Sequence, residues 1–327
     1  RSLAFTAQVD TRAPLGLTGT LLLDPDFIDV DANGSAYVGD VLFGAGSGLL
    51  SLDVATINAS LSNVVLQANE DINFNVAVSL ANPGVSLTAR AGGFLTVNGS
   101  ITTKGGAVDL TAGDFGSLTG PSEGSLTVNQ PIDTTGAGVF AAGAPVTLTS
   151  NLSDVGGNNI FINAGINAGT SSVTLDAQVG GPIDLAAGAI TSGNLNLLAS
   201  FDVNQTGGSI SASGVTLLDA SNVSLTRPGN NFNVFGGIAN AVAVNDSNGI
   251  TLGASSFSQL TVNANGNVGQ NAAVIIGGIT TINAGSGNVT LTTAGNNLND
   301  LNVSGNALNI VEGAGSALAV LSLTSGL

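Results

Sequence analysis

The sequence predicts an all-β fold, a β-solenoid, and three observations predict it. Apolar and polar residues alternate in short bursts, as in Val85-Ser-Leu-Thr-Ala and Val108-Asp-Leu-Thr-Ala. Period-two alternation sends one set of side chains to one face, so each burst reads as a strand of about five residues. Gly pairs and Asn-Gly cut the bursts at Gly92-Gly93, Asn98-Gly99 and Gly105-Gly106, where tight turns belong. Finally, VSLTA returns as VDLTA 23 residues later, the interval of one coil in a chain that stacks on itself.

Taken in order, residues 1–54 form an irregular β segment. It holds the strand-like runs Ser2–Val9, Gly19–Pro25 and FIDVDANG, and a Gly-rich link at Gly44–Gly48. That link has the composition to let the segment reach a neighbour as a donated strand. From residue 55 to 327 the cadence is continuous, with NVVLQA at Asn63, VTLTS at Val146, VTLDA at Val173, LNLLA at Leu195 and VTLTT at Val289. Polar or Gly-rich insertions at Asp114–Gly124, Gly136–Pro145 and Asn151–Asn159 read as outward loops. NVSLTRPGNNFN (Asn222–Asn233) recurs as NVTLTTAGNNLN (Asn288–Asn299), an offset of 66 residues that reads as three coils. No segment carries a capped 3.6-residue stripe, so no helix is expected. At about 20–23 residues per coil and a rise of about 4.8 Å, the chain makes roughly fifteen coils in a rod of about 70 Å.

Composition narrows the class. Gly is 47 of 327 residues, about twice its usual share. The apolar set is small and β-branched, with 12 Phe, one Tyr and no Trp or Met, which suits the thin interior of a coil. A net charge of −16, with Arg1, Arg12, Arg90, Lys104 and Arg227 the only cations, repels phosphate and anionic lipid. Nucleic acid and membrane surfaces are therefore poor partners. Charged residues are 8% of the chain against about a quarter in ordinary domains, leaving a surface of Thr, Ser, Asn and Gly more typical of secreted material. With no Cys, the chain is indifferent to redox compartment. No apolar run reaches the roughly eighteen residues of a spanning helix. The chain opens at Arg1 without Met and reads as a processed or excised segment.

GTLLLDPDFIDV (Gly19–Val30), the run Ala55–Leu80 followed by Val85–Gly113, and the paired NN-F/L tails together resemble filamentous-haemagglutinin-type exoproteins of bacterial two-partner secretion, especially the long cyanobacterial kind. The resemblance covers most of the chain. It implies a right-handed parallel β-helix, export through an outer-membrane partner barrel, and an adhesive or filamentous role at the cell surface.

The inventory of chemical groups points away from catalysis. There is no His and no Cys, so Ser-His and Cys-His pairings are absent. Glu70 and Asp71 are adjacent, and a strand sends neighbours to opposite faces. The sharpest motif is Asp29, Asp31, Asn33, Gly34, Ser35 and Asp40, oxygen ligands at positions 1, 3, 5, 7 and 12 with Gly at 6, the spacing of a Ca²⁺ loop. The favoured alternative is a strand, FIDVD, with outward Asp and an Asn-Gly turn. Outward Thr88, Thr111, Thr147, Thr149, Thr290 and Thr292 evoke an ice-binding array, broken by Asp109, Asp176 and Asn196. The two ends read as bare apolar strands, with Leu3, Phe5 and Val9 at one and Leu318, Val320, Leu321 and Leu323 at the other. Uncapped solenoid ends pair between copies, head to tail, into a filament.

The expectation is thus a secreted, non-enzymatic subunit of a surface filament with an adhesin-type role, contacting its own copies and glycan or protein on a host or neighbouring cell. The alternatives are a rod segment of a long monomeric adhesin, or a module binding calcium, glycan or ice.

Overall fold

A computed structural model describes residues 20–23, 26–33, 49–114, 124–151, 159–177, 180–313 and 319–325, with residues 20–23 and 319–325 as backbone alone. The fold is a parallel β-solenoid of about 12 turns with almost no helix. That is fewer than the fifteen expected, because some coils carry long insertions. The coil that leaves its face at Val108 returns to it only at Val146. The chain divides into two compact units, Arg1–Gly181 and Pro182–Leu327.

In the first unit each coil visits three faces. On one, Val64, Leu87, Val108, Val146 and Val173 stack in parallel register. On the second, Ile28, Ile72, Leu95, Leu126 and Ile160 do the same. On the third, Val78, Ile101, Ile132 and Ile166 form a column of fully buried side chains. Alternation explains these columns, since every second residue of a strand points inward and an equivalent residue on the next coil lies about 4.8 Å away. Burying each such side chain contributes about 1.5–3 kcal/mol.

Two features of this unit depart from the expected pattern. Leu49–Asp53 comes after Phe27–Asp31 in the chain, yet pairs with it on the edge opposite Ile72–Phe74, so the chain folds back over its own first coil. It then forms a one-turn helix, Val54–Asn58, where none was expected; the Asp53 carboxylate caps it by accepting from the Ala55 amide at 2.9 Å. Asn58 closes the helix onto the third face, its Oδ1 accepting from Ser79 N and its carbonyl from Ala81 N. Residues 49–58 thereby cover an edge of Phe27–Asp31 and an edge of the strand at Val78–Ser79. The candidate end residues Leu3, Phe5 and Val9 and the link Gly44–Gly48 lie outside the described residues.

The loop Gly136–Pro145 does not simply project. It contains a 3₁₀ turn, Gly138–Phe140, that lays Phe140 back on the corners of the coils. A Cβ on Gly84 or Gly136 would stand 3.2 or 2.9 Å from that side chain, and one on Gly105 would collide with the ring. Gly105 also has φ +97°, a conformation that L side chains rarely adopt.

In the second unit the strands are longer and bend around corners, as in Asn231–Asp246 and Ile250–Ala264. One face carries Val203, Val223, Val242, Leu260, Thr280 and Leu301 in register. A second carries Ile250, Val268, Val289 and Leu308.

Candidate functional site

Asp29 and Asp31 lie on the strand Phe27–Asp31, alternating with buried Ile28 and Val30, and the chain turns at Ala32 and Asn33. The strand FIDVD is thus present, and the rest of the motif, from Gly34 to Asp40, lies outside the described residues. The strand's carboxylates serve as acceptors for adjacent coils: Asp29 Oδ1 receives Asn73 Nδ2 at 3.0 Å, and Asp31 receives Asn75 Nδ2 at 3.0 Å and the Ser51 hydroxyl at 3.1 Å. Asp26 takes part in the same way, accepting from Asn69 Nδ2 at 2.8 Å. Of the candidate calcium ligands, Ser35 and Asp40 lie outside the described residues. Among the described residues no group of three carboxylates is placed to hold a metal ion.

The lateral bonding continues along the same face. Asn98, Asn129 and Asn163 each follow an inward Val or Ile and stack one above another. Asn129 donates to Asn98 Oδ1 at 2.9 Å, and Asn163 donates to Asn129 Oδ1 at 2.8 Å. Glu70 and Asp71 are also absorbed by the scaffold. Asp71 accepts from the Phe94 amide at 2.8 Å, while partial burial and then the neighbouring Asp71 and Asp26 charges push the Glu70 carboxyl upward.

The Thr faces are interrupted at Asp109, and Thr111, expected to face outward, is buried beside Arg90. Thr88 stacks on Asp109, which stacks on Thr147, and Arg90 stacks on Thr111. Arg90 reaches Asp114 at 3.0 Å and Asp109 at 3.9 Å. Burial raises the Asp109 carboxyl, Arg90 lowers it, and Asp114 raises it again. Of the candidate end residues, Val320, Leu321 and Leu323 belong to the strand Ala319–Ser325, which pairs with Asn297–Gly305. Leu318 lies outside the described residues.

A polar constellation that sequence reasoning missed occupies the second unit. Asn230 is fully buried, and its side chain exchanges two hydrogen bonds with Gln205, at 2.9 and 2.7 Å. It also donates to the Leu225 carbonyl at 3.0 Å and accepts from the Ile210 amide at 2.9 Å, so all four bonding positions of the amide are used. Nearby, buried Asp246 accepts from the amides of Phe232 at 2.7 Å and Asn248 at 2.9 Å, and Ser247 N donates to the Asn230 carbonyl at 2.7 Å. Burial raises the Asp246 carboxyl, and the two amides draw it partly back.

The arrangement recurs 66 residues on. Asn296 exchanges bonds with Gln270 at 2.8 and 2.9 Å, donates to the Leu291 carbonyl at 3.3 Å and accepts from Val274 N at 3.1 Å. Glu312 accepts from Leu298 N at 2.9 Å, and Gly313 N donates to the Asn296 carbonyl at 2.8 Å. The visible signal was the NN-F/L tail. Its first Asn is the buried one, and Val-x-Gln precedes it by about one coil in both copies.

A family model described as repeats of unknown function (DUF5649) matches residues 170–235 and again 239–305, two tandem copies. The chain matches none of the curated proteins and none of the solved structures compared with it.

Proposed function

We propose that the chain is a secreted, non-enzymatic structural protein of the bacterial cell surface, a subunit of an extracellular filament whose copies stack head to tail, with an adhesive outer face. The observation that carries this reading is how its polar groups are used. Asp26, Asp29, Asp31 and the column Asn98–Asn129–Asn163 bond to neighbouring coils and serve the stack. A coil that recognises the next by in-register backbone pairing, matched inward side chains and an outward amide ladder presents the same chemistry to a coil of another copy.

A second reading, a rod segment within a longer monomeric adhesin, is supported by the tandem repeat match, because duplication of a stacking unit lengthens a solenoid without a new core. Immunogold labelling of intact source cells, before and after external protease, tests the location. Label on the surface or on shed fibres is expected; label confined to the cell interior would overturn the proposal.

A further inference from the structure

The two buried constellations lie on different faces of the solenoid. Val223, in the strand before Asn230, returns to its own face as Val242, Leu260, Thr280 and Leu301. Its counterpart in the second copy is Val289, which stacks between Val268 and Leu308 on another face. The strands interleave along the chain: Leu260, then Val268, then Thr280, then Val289. The 66-residue repeat is therefore three coils plus one face, not the three coils the sequence suggested.

Asn230 joins three successive coils. Its side chain holds Gln205 and the Ile210 amide of the coil before and the Leu225 carbonyl of its own, and its backbone carbonyl receives Ser247 of the coil after. Asp246 answers a related need. Pairing with the next coil resumes only at Val234 with Thr251, so the amide of Phe232 finds its acceptor in this carboxylate. Such contacts settle what the apolar core leaves open. A slip of one residue turns every side chain over, but a slip of two keeps Val, Ile and Leu inward and changes little.

We infer that Gln205–Asn230 and Gln270–Asn296 are one recurring register-setting corner, each closed by an acid that follows its copy, Asp246 or Glu312, that this amide pair is the physical content of the repeat of unknown function, inside whose two matches it falls, and that the corner advances by one face from one copy to the next. Equivalent outward residues of successive copies, such as Ser224 and Thr290, then point in different directions around the axis. Tandem copies surround the solenoid with the same surface and do not line one side with it.

Disulfide trapping in this chain, which has no Cys of its own, tests the register directly. Ser224 and Ala243 are lateral partners at ladder spacing, within reach of a disulfide, whereas Asn245 comes opposite Ser224 only after a two-residue slip. Ser224→Cys is combined with Ala243→Cys or with Asn245→Cys, in the otherwise native chain and in the Gln205→Leu/Asn230→Leu background. The native chain should trap only the 224–243 pair. The apolar background should raise 224–245 trapping by about tenfold, as expected when a register preference of about 1.4 kcal/mol is lost. Gln205→Met, which removes the exchange but leaves Asn230 its other bonds, should shift trapping the same way by a smaller factor and stands in if the double variant does not fold. Trapping that stays at 224–243 in a folded variant, even one of lower stability, would show that these residues merely satisfy each other, and would overturn the inference.

Discussion

The side-chain amide of Asn129 donates to Oδ1 of Asn98 at 2.9 Å while its own Oδ1 accepts from Asn163 at 2.8 Å, so one half-buried side chain ties three coils together. Replacing it with Ala removes both bonds at a half-buried site, where each is worth about 0.5–1.5 kcal/mol. Asn129→Ala should lower the denaturation free energy by about 1–3 kcal/mol. Asn129→Asp should cost at least as much at neutral pH, because the carboxylate sets a negative oxygen against Oδ1 of Asn98 in a chain of net charge −16, a repulsion that offsets the one bond it keeps from Asn163. Urea titrations of the two variants check the order, and equal stability of Asn129→Ala and the native chain would deny the ladder any energetic role.

This ladder shows how far the sequence could be read. Strict alternation in VSLTA and VDLTA, with Gly at the corners, was enough to specify inward columns such as Ile101–Ile132–Ile166, since each position is tested locally. The fold-back of Leu49–Asp53 was not legible, because its apolar alternation matches any other strand and only tertiary pairing puts it outside Phe27–Asp31. The Gln205–Asn230 pair was hidden for a similar reason: its members are 25 residues apart and each sits in a turn-like context where polar residues are ordinary. The 66-residue offset reads as three coils when the clear 23-residue interval sets the coil length, but the later coils, Val223 to Val242 to Leu260, are shorter.

Phe140 and Gly105 make a second measurable contact. Gly105→Ala meets both a left-handed backbone and the Phe140 ring, and should destabilise by about 1–3 kcal/mol. Adding Phe140→Ala should recover the part due to the collision and leave the backbone part. A double variant whose loss equals the sum of the single losses would show that the ring does not press on this corner.

Thr280 lies fully buried in the column Leu260–Thr280–Leu301, and its hydroxyl has no hydrogen-bond partner in the structure. Thr280→Val keeps the shape and removes a desolvated hydroxyl, so it should stabilise the chain by about 1 kcal/mol. A lower melting temperature for this variant would mean that the hydroxyl is satisfied.

Glu70, Asp109 and Asp246 all hold their protons to higher pH than ordinary carboxyls, chiefly because burial disfavours the charged form. The unfolded chain releases these protons near pH 4. Their contribution to stability is complete below that value and is lost as pH rises through the raised folded values. Repulsion within a chain of net charge −16 acts in the same direction. The melting temperature should therefore fall as pH rises above about 4 at low salt, and Asp246→Asn should flatten part of that fall. Calorimetry at constant ionic strength decides it, and a melting temperature that climbs across this range would contradict the assignment.

Self-stacking is the central claim, and negative-stain microscopy of the purified chain over a concentration series tests it most directly. Copies that stack head to tail will form fibres of uniform width that lengthen as concentration rises. Discrete single-chain particles at every concentration would contradict it.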